Sequence, residues 1–156
     1  MKKEMKPLRM LFFTVMLALA ASLSSCSVDV NSLGSGDVYG YWHLERVDSL
    51  QNGQQKDVSE NRIFWMFEGK LLEMSDYDGG YNIYLLRFSH SGGMLEVSQP
   101  YMYDRESGEG DRKVTDPQEL SHYGINALEE RFEVEKLSDG KMILKNQLVK
   151  LYFTKF

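Results

Sequence analysis

The chain has 156 residues, 42% hydrophobic and 26% charged, with 3 prolines and 9 methionines; it is one domain's worth of sequence, and its composition excludes collagen, wholesale disorder and a multi-span membrane protein. A single cysteine excludes an internal disulfide and a cysteine-built zinc cage. Lys2, Lys3, Lys6 and Arg9 face only Glu4 at the start, so residues 27–156 hold 14 basic and 22 acidic side chains, a net −8 that repels phosphate and excludes nucleic acid as a partner.

Met1–Arg9 is basic, and Met10–Leu23 is a mostly apolar run of 14 residues. At about 1.5 Å per residue a helix of that length reaches roughly 21 Å, short of the roughly 30 Å hydrocarbon core. The run stops in small residues, Leu23-Ser24-Ser25, followed by Cys26. A basic start, a short apolar stretch and a small-residue cleavage site describe a secretory signal. With its cysteine at the end of the leader, the segment resembles the lipobox of bacterial lipoproteins. That resemblance implies a signal peptide over 1–25, cleavage before Cys26 and acylation of its thiol. The partner of the mature N-terminus is then the lipid bilayer. Two or three acyl chains provide stable anchoring, and they occupy a thiol that an oxidising envelope would otherwise attack. Residues 27–37, SVDVNSLGSGD, form a small, polar, glycine-bearing tether, with a reach of roughly 17–20 Å. The resemblance places the protein at the outer membrane. Bacteroidetes can export lipoproteins to the cell surface through acidic residues just behind the cysteine; Asp29 alone stands there, so the periplasmic face and the cell surface both stay open.

From Val38 onward aromatic and β-branched residues come in short bursts between turn signals. The alternation predicts strands over Tyr39–Val47, Ile63–Phe67, Leu71–Met74, Tyr81–Phe88 and Met94–Tyr103. The turns between them are Glu68-Gly69-Lys70, Asp76–Gly80 and Ser89–Gly93, and Asp48–Ser59 is a polar stretch. Pro100 inside a strand pattern marks an edge or a bulge. Asp104–Asp116, DRESGEGDRKVTD, breaks the rhythm with charge and glycine and offers almost nothing to bury. Asp116 as cap, Pro117 as first helical residue and Gly124 as terminator predict one or two helical turns ending near Tyr123. Arg131–Lys136, Lys141–Lys145 and Leu148–Lys155 complete the set. Seven or eight strands with short sequential connections favour an antiparallel meander, which removes its free edges by closing.

Gly40-Tyr41-Trp42 on the first strand of such a meander resembles the Gly-x-Trp signature of the lipocalins. The layout is similar to the lipocalin-like lipoproteins of Bacteroidetes over 38–156, including the closing pattern around Phe132, Met142 and Leu151-Tyr152-Phe153. The resemblance implies an all-β fold: an antiparallel up-and-down barrel of eight strands with one short helix. Trp42 would close the barrel's bottom beside a glycine that lets another backbone approach. The last strand carries Lys150 and Lys155 where the family usually packs an arginine on the tryptophan.

No constellation argues for catalysis. His43, His90 and His122 lie far apart with no pairing, and read as three surface histidines rather than metal ligands. Asp76-Tyr77-Asp78-Gly79-Gly80 faintly resembles a calcium loop but lacks its closing glutamate, and suits a hairpin turn. There is no Gly-x-Ser-x-Gly elbow, phosphate-cradling loop or dinucleotide fingerprint, so neither an enzyme nor a cofactor is expected. The aromatic content is the suggestive feature, with 2 Trp, 9 Tyr and 8 Phe. Trp42, Trp65 and Phe67 are predicted inward, and Tyr101, Tyr103 and Tyr123 flank the charged loop and helix. These six are the candidate ligand-binding residues. The expected function is a non-enzymatic envelope lipoprotein whose barrel takes a small apolar or amphipathic molecule. The alternative is a solid barrel that contacts another envelope protein or a glycan through its outer loops.

Overall fold

The computed structural model describes residues 38–156; the leader, Cys26 and the tether lie outside the described residues. Ten strands form in chain order: β1 (Gly40–Ser49), β2 (Gln55–Asp57), β3 (Ile63–Glu68), β4 (Leu71–Asp76), β5 (Tyr84–Ser91), β6 (Met94–Met102), β7 (Arg112–Lys113), β8 (Glu130–Leu137), β9 (Lys141–Lys145) and β10 (Val149–Lys155). A 3-10 helix, Pro117–Tyr123, lies between β7 and β8. Eight strands pair antiparallel in the ring β1-β3-β4-β5-β6-β8-β9-β10, and β10 returns to β1 from Trp42↔Lys155 to Ser49↔Val149. The meander therefore closes as an eight-stranded up-and-down barrel with one short helix, and its wall has no free edge. The two additional strands, β2 on β1 and β7 on β6, escape sequence reading because every residue in them is exposed. With no buried face they carry no period-two signal.

Period-two alternation sends one set of side chains into the lumen. Trp65 on β3 and Phe132 on β8 start four places apart in the ring, on opposite walls, yet their ring centroids are 6.3 Å apart. Phe153 on β10 packs against the same indole at 5.1 Å. Aromatic contact thus spans the lumen at this level. Leu44, Leu72, Leu95 and Leu144, all fully buried, continue the fill. Burial on this scale is the main source of the barrel's stability. The Trp65 indole N–H, fully enclosed, has no hydrogen-bond partner among the described residues.

Three bulges re-aim the wall, each marked by a register shift: in β1 between Leu44 and Arg46, in β8 between Val134 and Lys136, and between β5 and β6 opposite Leu85–Arg87. The third lies at Gln99-Pro100, as the proline suggests, and Gln99 there takes φ 54. One extra residue reverses the phase of the strand. Leu95 and Val97 face inward before it and Pro100 after it, so Tyr101 is turned to the outside.

The barrel's two ends are closed differently. At the tight-turn end the Trp42 indole N–H donates to the Val38 carbonyl at 2.7 Å. The Lys155 ammonium lies 5.1 Å from the Trp42 ring centroid, a cation–π contact between the last strand and the first. Gly40, at φ 107, leaves room for that lysine: a Cβ there would stand 3.3 Å from its Cε. At the loop end the segment between β6 and β8 folds into the mouth. Val114, Leu120, Tyr123 and Ile125 are all fully buried. The expectation that Asp104–Asp116 has almost nothing to bury is corrected here, because Val114 is a core residue whose N–H donates to the Pro100 carbonyl. The helix forms as its signals predict. The Asp116 side chain accepts from the Gln118 N–H at 2.9 Å, and Gly124 ends the helix at φ 85.

Candidate functional site: an aromatic groove on the outer wall

The structure divides the six residues chosen from the sequence. Trp42, Trp65, Phe67 and Tyr123 are fully buried in the core, whereas Tyr101 and Tyr103 are 39% and 41% exposed on the outside. The phase reversal at Gln99-Pro100 turns Tyr101 outward, and the six do not form one surface. Cys26 lies outside the described residues.

A concavity forms instead on the outer face of β1 and β3. Tyr41 and His43 occupy outward positions of β1, and Phe64 is the cross-strand neighbour of His43. Tyr77 from the β4–β5 connection and Phe156 after β10 complete its aromatic part, while Ser59, Asn61 and Arg62 supply a polar rim. The groove holds about 460 Å³. Phe64 is its floor, only 7% exposed. Tyr77 meets it edge-on at 5.6 Å and 70°, and Phe156 does so at 5.3 Å and 78°. The Phe156 N–H donates to the Tyr41 carbonyl at 3.0 Å, continuing the β1–β10 ladder into the groove. Sequence reading missed this site. Its one local signal is IFWMF, where Phe64 stands on the solvent face between two inward residues.

Charges around the groove are paired. Arg62 Nε donates to Asp78 Oδ1 at 2.8 Å, its backbone N–H to Oδ2 at 2.9 Å, and its terminal nitrogen to the Tyr77 carbonyl at 2.6 Å. These Arg62 donors, the backbone N–H first, hold the Asp78 carboxyl below its ordinary pKa. His43 Nδ1 lies 3.0 Å from Glu45 Oε1 and Nε2 lies 2.6 Å from the Asn61 carbonyl. Both partners are acceptors, so this ring is a donor in the groove wall. Burial and the neighbouring Tyr77 raise the Tyr41 phenol above its usual value, keeping it neutral.

A second polar cluster sits at the loop end. His122 Nε2 is 3.0 Å from Asp76 Oδ2, with side chains 11% and 5% exposed, and its ring stacks on Tyr81 at 3.4 Å. The Tyr123 hydroxyl donates to the Asn82 carbonyl at 2.7 Å. Burial pulls the His122 pKa below 6.5 despite the Asp76 carboxylate, with Lys56 adding to the depression. The reading of three surface histidines is therefore corrected: His43 and His122 are partly buried and hydrogen-bonded, and His90 lies on β5 rather than in a turn. Both carboxylates of the Asp76–Asp78 segment are engaged by protein partners, Asp76 by His122 and Asp78 by Arg62. The Asp76–His122 pair fastens the helix to the rim of the barrel.

The whole domain has recognisable relatives. A search of curated proteins finds no match. Among solved structures, a lipocalin-like protein from Bacteroides uniformis superposes with a TM-score of 0.57 at 24% identity, covering 78% of this chain and 100% of that one. An uncharacterized protein from Bacteroides eggerthii gives 0.56 at 21% identity, covering 77% of this chain and 100% of that one. At such identities the likeness carries the fold alone. The family model for the lipocalin-like domain matches residues 21–156, the barrel in its entirety, and the chain belongs to that family.

Proposed function

We propose that this chain is a lipid-anchored envelope protein that binds a small amphipathic molecule, without catalysis, in the groove on its outer wall rather than in the lumen. The observation that carries this reading is the contrast between a lumen bridged by Trp65 and Phe132 and an open aromatic groove of about 460 Å³. That volume is within the range of small-molecule sites, roughly 300–1,000 Å³, and an apolar lining with a few polar groups is their usual chemistry. The lipobox-like Cys26 supports anchoring at the outer membrane, on the periplasmic face or the cell surface. Barrel membership in a lipocalin-like family supports binding rather than turnover.

Two measurements test the reading. Titration of the full chain with N-phenyl-1-naphthylamine should show saturable binding that Phe156→Ala weakens and Tyr103→Ala leaves alone. Binding unaffected by Phe156→Ala, Tyr41→Ala and Tyr77→Ala would remove the outer-wall site. Cells fed radiolabelled palmitate should label the protein, and Cys26→Ser should abolish the label.

A further inference from the structure

An unbroken register row crosses the outside of the wall from β1 to β7. Tyr41 pairs with Met66, Met66 with Glu73, Glu73 with Leu85, Leu85 with Tyr101, and Tyr101 with Lys113. Directly opposed residues on neighbouring strands share a face of the sheet, so every side chain in this row stands outside. We propose that the row is a self-complementary contact surface through which two copies of this chain pair about a two-fold axis.

From β4 to β7 the row reads acid, apolar, aromatic, base. A two-fold axis normal to the wall, passing between Leu85 and Tyr101, reverses that order on the second copy. Glu73 of each copy then faces Lys113 of the other, and Leu85 faces Tyr101. An isologous contact requires this reciprocity, in which residue i meets j and j meets i. Two convex walls lie closest at the axis and diverge away from it. Leu85 and Tyr101 occupy the closest part, and the long side chains of Glu73 and Lys113 reach across the wider gap. Met66 and Tyr41 lie beyond the paired portion, so the groove at Tyr41 stays open and the pairing is independent of what it binds.

Within one copy the two charges are unmatched. Glu73 and Lys113 are three strands apart, roughly 14 Å at the usual inter-strand spacing, which is too far for an ion pair. Neither makes one with any other group among the described residues. Burial already raises the Glu73 pKa, and no neighbouring cation opposes that shift. A lysine from a second copy supplies the missing counter-charge. The apolar part of this wall also lacks cover: Tyr101 is 39% exposed, and Leu71, two residues from Glu73 on the same face, is 42% exposed. Contiguous exposed apolar side chains of this kind mark contact surfaces, and the opposed charges fix their register.

Sedimentation equilibrium of the full chain in a density-matched detergent tests the pairing, at about 0.15 M salt so that repulsion between two acidic bodies is screened. The natural chain should sediment as a dimer at micromolar concentration. Glu73→Lys sets like charges together at both ends of the contact and should weaken it at least about a hundredfold. Combining Glu73→Lys with Lys113→Glu restores opposite charges and should recover the affinity to within about tenfold. Leu85→Ser should weaken the pairing, whereas Glu133→Lys, on the outer face of β8, should not. Urea midpoints of these variants should stay near that of the natural chain, because each altered side chain points outward; a lost dimer is then not a lost fold. A monomeric natural chain overturns the proposal and leaves the face to a different partner. A dimer that survives both Glu73→Lys and Leu85→Ser overturns it as well. Pairing lost in Glu73→Lys and not recovered by the double exchange also overturns it, because only the two-fold register gains from that exchange.

Discussion

Phe64 and Trp65 are neighbours on β3, and they have opposite surroundings. Trp65 points into the lumen, fully buried, against Phe67, Phe132 and Phe153. Phe64 points out, against His43, Tyr77 and Phe156. Both are enclosed by aromatic rings, yet only the outer cluster leaves open space beside it. The inner cluster is cross-braced from opposite walls, so its rings fill the barrel. The outer cluster is braced from one side only, and the missing side is the groove. In this barrel, aromatic residues inside fill the lumen, and those outside line an open groove.

Substitutions can break or sharpen that contrast. The largest effect is expected from Trp65→Ala, which removes the ring linking both walls and should destabilise by about 3–5 kcal/mol, read from urea denaturation. A loss no larger than that of Phe64→Ala would refute the distinction between the two sides. Gly124→Ala should follow, at roughly 1–3 kcal/mol. Its Cβ would lie 2.7 Å from Leu151 Cδ2 at a φ of 85, which forces both the backbone and an inner-wall residue to shift.

The rim between inside and outside should be acid-sensitive. Folding lowers the His122 pKa below 6.5, chiefly by burial. The unfolded chain therefore binds this proton more readily, and stability rises with pH across the interval between the lowered value and 6.5. The contribution is complete above pH 6.5 and is lost as pH falls through that window. His122→Phe, which keeps a ring on Tyr81 but cannot titrate, should flatten the unfolding profile between pH 5 and 7. An unchanged profile would assign the acid sensitivity to other groups. The smallest stability change belongs to Phe156→Ala, within about 0.5 kcal/mol because the residue is so exposed. That variant is the cleanest test of the outer cluster, because binding should fall while the denaturation midpoint holds.

Much of the barrel was legible in the chain. Seven of the eight wall strands begin within a residue of where alternation places them, and Asp116, Pro117 and Gly124 mark the helix because capping is local chemistry. β5 starts at Tyr84 rather than Tyr81 because the turn after Asp76 runs longer, held by Arg62 on Asp78 from another segment. The groove was not legible. It draws on β1, the β2–β3 connection, β3, the β4–β5 connection and the chain end, and no local spacing relates position 41 to 77 or 156. His122 read as a surface residue because its partner, Asp76, is 46 positions away.

What the sequence by itself determined is the inward set on most of the wall strands, most of the turns, the caps and the bulge-prone Pro100, along with the leader and cysteine on which the anchoring expectation rests. Each follows from interactions within a few residues, where side-chain period and backbone preference act directly. Only the tertiary structure decided that Tyr101 faces out after an unpaired residue reverses the strand's phase. It alone decided that Val114 and Tyr123 close the barrel's mouth, that Trp65 meets Phe132 across the lumen, and that Phe64 lies between Tyr77 and Phe156. Those outcomes depend on how the ring of strands closes, which brings together side chains that local periodicity cannot relate.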